Sequence, residues 1–179
     1  MLKRLSIMAV VMLFLAPMAV YAQSSDDLLN QARCILTTTP TTHRPSISAL
    51  RAFWTSLGCH VVTMNPTDHD RVYANISHLP HLIAAGLVNA SDWNDVKFAG
   101  KGFLDSTRIA SGPATIWTDV LLANSENLAE GIDRVVTELM KLKHAVKTKD
   151  AKEIEALLEA ARDKRASLVK YKLRKKELL

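Results

Sequence analysis

Two short clusters near the middle of the chain combine histidine with residues that could hold a ligand. His69-Asp70 is followed by Ser77-His-Leu-Pro-His81. On a regular helix Asp70, Ser77, His78 and His81 fall near one face. Imidazoles on such a face can move protons, bind metals or form hydrogen bonds near neutral pH. Ordinary buried or solvated histidines fit the same pattern.

An arginine-containing segment supplies a second candidate group. Residues 100–110 include Asp105, Thr107 and Arg108. The planar guanidinium of Arg108 presents a fork of donors that matches a carboxylate, and it stays charged at physiological pH. Asp105 lies three residues earlier and could orient it, while Thr107 could add a hydroxyl contact. The alternative is a surface ion pair of little energetic value.

A tryptophan and a metal-like residue set complete the list of candidates. Trp117, in Trp117-Thr-Asp119, suits a pocket wall or a core position. His69, Asp70, His78 and His81 resemble a set of metal ligands. However, His78 and His81 are only three residues apart, and no Cys or Glu completes the set nearby. A metal site therefore remains an alternative interpretation.

The elements that position these residues change character at Pro66. Before it, residues 33–37 and 59–64 are strand-like, and residues 46–57 have helical spacing. One strand–helix–strand unit cannot cover a parallel sheet by itself. Residues 23–65 are therefore interpreted as the remnant of a larger α/β domain.

Beyond Pro66 the pattern becomes helical. Apolar residues recur at helical intervals in residues 72–87, 114–123, 124–147 and 148–174. Pro80 is expected to bend the first of these helices, because it removes a backbone donor and crowds the preceding turn. The predicted fold class is therefore mainly α, with residues 66–179 as a helical domain behind the short strand–helix–strand unit.

The first 22 residues are typical of a signal peptide or an N-terminal anchor. Lys3 and Arg4 precede an uncharged apolar run, and Val20-Tyr-Ala22 precedes a plausible cleavage point. A functional signal would make the protein secreted or periplasmic, and this segment is the only predicted contact with a membrane. In an exported protein Cys34 and Cys59 could pair, although two buried thiols are the simpler interpretation.

The formal net charge of +5 is concentrated in the tail. From Lys141 to the end, 13 Lys and Arg stand against 6 Asp and Glu. These charges fit the solvated face of a helix. Apart from Tyr171, no aromatic side chain lies among them, so no base-stacking surface and no nucleic-acid partner is predicted.

Taken in order, these motifs resemble the prephenate and arogenate dehydrogenase family of tyrosine biosynthesis. The matching segments are Cys34-Ile-Leu-Thr, Phe53-Trp-Thr-Ser-Leu-Gly58, His69-Asp70, Ser77-His-Leu-Pro-His81, Gly102-Phe-Leu-Asp-Ser-Thr-Arg-Ile-Ala-Ser111, Trp117-Thr-Asp119 and Asn124-Ser-Glu-Asn127. The resemblance implies the family's C-terminal helical domain, which binds substrate and forms the homodimer.

The resemblance also implies a reaction and a set of site residues. In the family, a hydride passes from prephenate or arogenate to NAD or NADP, carbon dioxide is lost, and the ring becomes aromatic. The implied substrate-binding residues are Ser77, His78, His81, Asp105, Thr107, Arg108 and Trp117. Arg108 would clamp a substrate carboxylate, and Trp117 would wall the cleft.

The chain departs from the family pattern in one respect. It contains no G-x-G-x-x-G, so the cofactor-binding domain is absent from it, together with the family's catalytic histidine. We therefore expect a protein that is incomplete and inactive alone, cytoplasmic if the family default holds. Two alternatives remain: a non-catalytic exported module that binds a ligand or dimerises, and a metal-dependent hydrolase using the His/Asp set.

Overall fold

The computed structural model describes residues 11–13 and 29–175. The chain divides into two compact units, one of Met1–Pro66 with Ala151–Leu179 and the other of Thr67–Asp150. The division at Pro66 lies where the sequence pattern changes from mixed to helical. The mainly α fold, preceded by a strand–helix–strand unit, agrees with the sequence prediction.

The first unit contains a small sheet with strand order β1-β2-β3. Its elements are β1 (Val11–Leu13), β2 (Arg33–Thr37), helix α1 (Arg44–Ser56) and β3 (His60–Met64). β2 and β3 are parallel, with Arg33 opposite His60, and β1 is antiparallel to β2. The predicted strand–helix–strand unit is thus confirmed.

Gly58 lets the chain turn from α1 back into the sheet. It adopts a φ of 85°, in the left-handed region that favours glycine. A Cβ at this position would also lie 3.0 Å from Asn30 Oδ1. Backbone bonds from Gly58 to Thr55 and from Cys59 to Trp54 then close the end of the helix.

The core of this unit forms around two thiols. Cys34, Leu36 and Cys59 are buried together, and Trp54 is among the partly buried residues that pack on them. Both cysteines are free, as the simpler interpretation of the sequence predicts. Burial raises the pKa of each thiol, and the neighbouring Cys59 raises that of Cys34 further.

The second unit is helical throughout. Its elements are α2 (Pro66–Tyr73), a π-helix (Ala74–His78), α3 (Leu79–Asn89), α4 (Trp93–Val96), α5 (Lys101–Thr107), a 3-10 helix (Arg108–Ser111), α6 (Ala114–Ala123) and α7 (Ser125–Thr148). α3 packs against α5, the 3-10 helix and α7, while the π-helix packs against α7. The buried apolar side chains include Tyr73, Leu79 and Leu128.

Gly131 allows α7 to approach the segment that carries the histidines. A Cβ on this residue would lie 3.3 Å from Leu79 Cδ2 and 3.6 Å from Asn75 Oδ1. Gly131 is itself buried. A larger residue would push α7 away from the π-helix.

The last helix, α8 (Ala151–Arg174), has no buried residue. Among the helices that the structure describes, none combines the length and the apolar character needed to cross a bilayer. The predicted signal or anchor in residues 1–22 lies outside the described residues, apart from the three residues of β1. That assignment stays a prediction.

Candidate functional site

The helical segment that carries the histidines changes its hydrogen-bond register between Tyr73 and Leu79. α2, the π-helix and α3 follow one another without a break, and Leu79 N–H donates to Ala74 O, five residues earlier. Pro80 occupies the start of α3, where its missing N–H is tolerated. Single π-helical turns inside α-helices are frequent at functional sites.

In the turn before this π-helix, two backbone carbonyls accept hydrogen bonds from side-chain amides. Asn75 Nδ2 donates to Arg71 O at 2.7 Å, and Asn124 Nδ2 donates to Asp70 O at 2.7 Å. Arg134 Nη2 in turn donates to Asn75 Oδ1 at 2.6 Å. The carbonyls of Asp70 and Arg71 thus accept bonds from side chains next to the irregular turn. The bond from Arg134 connects the turn to α7.

The register change decides which side chains are buried. His69, Tyr73, Ala74, His78 and His81 are buried, and the five-residue step from Tyr73 to His78 spans the π-helix. His78 and His81 of the face predicted from the sequence are thus both buried. Asp70, expected near the same face, has a side chain that is about half exposed.

Trp117 lies against two of the imidazoles. The His81 ring stacks on the indole with centroids 3.6 Å apart and planes 12° apart, while the His78 ring meets the indole edge-on at 6.3 Å. Gly112 makes the stack possible, since a Cβ there would lie 2.5 Å from Trp117 Nε1 and 3.1 Å from His81 Cε1. The side chain predicted to wall a pocket therefore packs on both histidines.

Each of these imidazoles leaves one ring nitrogen without a partner. His78 Nε2 and His81 Nδ1 are buried and have no hydrogen-bond partner among the described residues. His78 Nδ1 lies 3.4 Å from Asn124 Nδ2, and the Asn124 carbonyl accepts from Asn127 Nδ2 at 2.9 Å. A buried polar atom without a partner is costly, so such atoms require an explanation, and a ligand oxygen is one.

Burial also keeps these histidines neutral. The pKa of His78 is lowered by desolvation and then by repulsion from His69, with Asp70 acting in the opposite direction. The pKa of His81 is lowered by desolvation. Both imidazoles are therefore neutral at physiological pH, when each can serve as donor through one nitrogen and acceptor through the other.

His69 forms a pair with its neighbour and belongs to no metal cluster. Its Nδ1 lies 3.0 Å from Asp70 Oδ1, and its ring stacks on Tyr73 with centroids 4.6 Å apart. Over the described part of the chain, no group of three or more His, Cys, Asp or Glu side chains is arranged to hold a metal ion. The four candidate metal ligands are thus not gathered around one point: His69 contacts Asp70 and Tyr73, whereas His81 stacks on Trp117.

The arginine segment does not form the internal pair that the sequence suggested. Asp105 Oδ2 bonds Lys101 Nζ at 2.6 Å, one helical turn earlier on α5. Arg108 begins the 3-10 helix, where its guanidinium is exposed and has no hydrogen bond or ion pair within residues 29–175. The 3-10 helix packs on α3, which carries His81. The expectation that Asp105 orients Arg108 was wrong.

The two remaining predicted site residues differ in what their hydroxyls do. Thr107 Oγ1 donates to Phe103 O at 2.7 Å on its own helix, so it is already engaged. Ser77 lies in the π-helix beside His78, is partly exposed, and has no hydrogen bond within the described residues. Of the two, Ser77 is the one whose hydroxyl is available to a ligand.

Comparison with known proteins decides the family. The family described as "Prephenate dehydrogenase, dimerization domain" matches residues 65–160, more than half of the chain. The chain belongs to the prephenate dehydrogenase family. The resemblance predicted from the sequence motifs is thereby confirmed.

Relatives of this prephenate dehydrogenase family member include prephenate and cyclohexadienyl dehydrogenases. Prephenate dehydrogenase of Bacillus subtilis is 32% identical over 153 residues, which are 82% of this chain and 41% of the relative. Cyclohexadienyl dehydrogenase of Zymomonas mobilis is 31% identical over 63% of this chain and 41% of the relative. The chain thus spans about two fifths of these relatives.

Solved structures give the same family and fold. Prephenate dehydrogenase of Aquifex aeolicus, in complex with hydroxyphenyl propionate and NAD+, matches with a TM-score of 0.73 and 32% identity, over 80% of this chain and 52% of that one. Arogenate dehydrogenase of Synechocystis matches with a TM-score of 0.69 and 25% identity, over 79% and 54%.

The nucleotide cofactor of this family does not fit the residues present. A dinucleotide-binding unit uses a glycine-rich turn after its strand, so that backbone N–H groups reach the pyrophosphate. After β2 the chain instead runs Thr38-Thr39-Pro40, which line an open pocket of about 360 Å³ with Arg44 and Arg51. That turn has no glycine, and Pro40 has no N–H to donate. We derive no hydride-transfer step for this chain.

Sequence reasoning gave no role to two residues of the site. Asn124 was quoted only as part of the matching segment Asn124-Ser-Glu-Asn127. It precedes α7, a position where asparagine usually caps a helix, but its side chain makes no capping bond and is buried against His78. Gly112 was not singled out, because its φ of −63° does not require glycine; the requirement is steric.

Proposed function

We propose that this chain is the substrate-binding and dimerisation part of a prephenate or arogenate dehydrogenase of tyrosine biosynthesis. A ligand site formed beside Trp117, His78 and His81 would hold the ring acid, and Arg108 would bind one of its carboxylates. The overall reaction would be the oxidative decarboxylation catalysed by the family, with NAD or NADP as hydride acceptor.

One observation carries this proposal: two buried imidazole nitrogens without partners lie beside Trp117. His78 Nε2 and His81 Nδ1 can contact substrate oxygens, and the indole supplies an aromatic surface. Arg108 adds an exposed guanidinium without a partner on the neighbouring 3-10 helix. An anionic ring acid has the chemistry that such a set would recognise.

The chain alone is proposed to bind this substrate without oxidising it. Neither the turn after β2 nor any other segment has the glycine pattern that holds a dinucleotide. Turnover would therefore require a nucleotide-binding module, supplied by another chain or by further sequence. Incubation of the purified protein with prephenate and NAD+ or NADP+ should give no reduced cofactor, and steady turnover would contradict this point.

Calorimetric titration with prephenate tests the binding site. The unchanged chain should bind, and Arg108→Ala should bind about ten-fold or more weakly, because a charge-assisted bond to the carboxylate is lost. Arg165→Ala is the matched control, since it removes the same exposed group from α8. Equal affinities for the Arg108→Ala protein and the unchanged chain would remove Arg108 from the site.

The same domain is proposed to form a homodimer. Ile132, Val136, Leu139 and Met140 form an apolar stripe along α7, with 37% to 55% of each side chain exposed. In α8, Leu158 and Leu168 are also at least half exposed. An exposed apolar stripe such as that on α7 is typical of protein interfaces, and the family name describes a dimerization domain.

Sedimentation velocity tests the dimer. The chain should sediment as a dimer, and Leu139→Glu should shift it towards monomer by placing a charge in the apolar stripe. Lys141→Glu places a negative charge on the side of α7 away from the stripe and should leave the dimer intact. A monomer at micromolar concentration for the unchanged chain would refute the assignment.

A non-catalytic binding or dimerisation module is the second candidate. This candidate is supported by two observations. The sequence has no glycine-rich turn of the kind that binds a dinucleotide, whereas His81 and Trp117 are stacked at the proposed ligand site. Adding a nucleotide-binding half from a relative distinguishes the two. Restored prephenate oxidation supports the dehydrogenase, whereas binding without rescue supports the module.

A further inference from the structure

We propose that Asn124 is a positioning residue that fixes the proton of His78 on Nε2 and so makes this imidazole a hydrogen-bond donor towards an oxygen of the ligand. The proposal rests on the function proposed above, because it concerns the same pocket. It adds the direction of the hydrogen bond and the residue that sets it.

The orientation of the Asn124 amide follows from its neighbours. The carbonyl of Asp70 can only accept, so the amide group 2.7 Å from it must be the nitrogen. On the other side, Asn127 Nδ2 donates at 2.9 Å to Asn124 Oδ1. The contact with the Asp70 carbonyl fixes the orientation, with Nδ2 directed at Asp70 and His78, and the contact with Asn127 is compatible with it.

The second hydrogen of that amide nitrogen then reaches His78. Asn124 Nδ2 lies 3.4 Å from His78 Nδ1, and a donor can bond only a ring nitrogen that lacks a proton. A neutral imidazole with a bare Nδ1 carries its proton on Nε2. Because Asn124 and His78 are 7% and 4% exposed, water does not compete for this contact.

The consequence is a buried N–H without an acceptor. His78 Nε2 has no partner within the described residues. An N–H needs an oxygen or a ring nitrogen opposite it, and a carboxylate, carbonyl or hydroxyl oxygen of a ring acid would supply one. The pocket is thereby selective for ligands that accept at this point, and an ammonium group there would be rejected.

Nitrogen-15 NMR of the histidine-labelled full chain reads the tautomer directly. The unchanged chain should show the His78 proton on Nε2, with the resonance assigned by its loss in His78→Gln. In Asn124→Asp an ionised carboxylate can only accept, so His78 Nδ1 should become protonated, as the Nδ1–H tautomer or as the imidazolium. Hydroxyphenyl propionate, used as the probe, should shift Nε2 of the unchanged chain and bind Asn124→Asp about ten-fold more weakly.

Asn75→Asp is the matched control. It makes the same chemical change in the π-helix and removes the same type of bond, to the carbonyl of Arg71, but it does not contact His78. The proton should stay on Nε2 in this variant. If the proton of His78 moved only because a bond to a backbone carbonyl was lost or because a charge was added, it would move in both Asn124→Asp and Asn75→Asp.

The outcomes separate this inference from the proposed function. A proton on Nδ1 in the unchanged chain, or an Nδ1 without a proton in folded Asn124→Asp, overturns the role of Asn124. If Asn124→Asp does not fold, Asn124→Ala takes its place. In that variant the Nδ1 resonance of His78 must shift to the position of a ring nitrogen without a hydrogen bond, and an unshifted resonance overturns the proposal. Failure of the unchanged chain to bind either prephenate or the probe refutes the proposed function, whereas the tautomer is read without ligand.

Discussion

The imidazole of His81 lies flat on the indole of Trp117, with the two ring centroids 3.6 Å apart. This contact joins α3 to α6, and the backbone at Gly112 passes close beside it. The stack therefore depends on a residue that has no side chain.

Gly112→Ala should destabilise the protein. The added methyl would lie 2.5 Å from Trp117 Nε1, so the stack must move, at a cost of about 1–3 kcal/mol in the free energy of unfolding. Urea denaturation measures the difference. Gly86→Ala is the control, because nothing lies within 4 Å of its Cβ, and this change inside α3 should be neutral or stabilising. Equal effects of the two substitutions would contradict the steric argument.

Acidification should weaken the fold through the buried histidines. The pKa values of His78 and His81 are below their ordinary value of 6.5, so the unfolded chain binds protons that the folded chain does not. The stabilisation from keeping them neutral is full above 6.5 and is lost as the pH falls below it. Denaturation between about pH 8 and about pH 5 should show this loss.

Substitution identifies the histidine responsible. His78→Gln should flatten the pH dependence, since glutamine does not titrate. His144→Gln should keep the original dependence, because that side chain on α7 is exposed and solvated. If the His78→Gln protein kept the full pH dependence of its stability, His78 would not be the histidine responsible.

The bond between Asn75 and Arg134 should contribute measurably to stability. At 2.6 Å it joins the π-helix to α7, and we expect a coupling free energy of about 0.5–1 kcal/mol between Asn75→Ala and Arg134→Ala, because the pair is exposed. A double-mutant cycle by urea denaturation measures it. Glu130→Ala, paired with the same arginine at 3.7 Å, is the control, and its coupling should be smaller.

The two thiols should be unreactive in the folded protein. Cys34 is fully buried and Cys59 nearly so, and burial raises both pKa values, which reduces the thiolate that reacts. A chromogenic disulfide reagent should label neither cysteine in buffer and both in urea. Fast labelling without denaturant would contradict the core assignment.

The α/β part and the helical class could be predicted because both follow from local patterns. β2 matches the predicted residues 33–37, and α1 starts two residues before the predicted helix. Strand burial and helix periodicity are visible within a few residues. The family motifs likewise indicated Trp117 and the histidines before any coordinates.

The site geometry could not be predicted because it depends on departures from regular structure. Periodicity of 3.6 residues contains no information on where a π-helix begins, so the sequence did not predict that His69 and Tyr73 are buried together with His78 and His81. The partner of Asp105 was also missed. The change to a 3-10 helix at Arg108 alters the spacing, and α5 offers Lys101 instead.

The π-helix makes the geometry of the pocket depend on chain length as well as on side-chain identity. Removing one residue between Tyr73 and Leu79, such as the exposed Ile76, would restore the four-residue spacing of a regular helix and leave His69 and His78 on the same side of it. Adding one residue would instead turn the preceding helix by about 100° relative to α3. His69 and His78 would then point in different directions, although every functional side chain remained in the sequence. Insertion of a single residue between Tyr73 and Leu79 should therefore change ligand binding as strongly as substitution of a site residue.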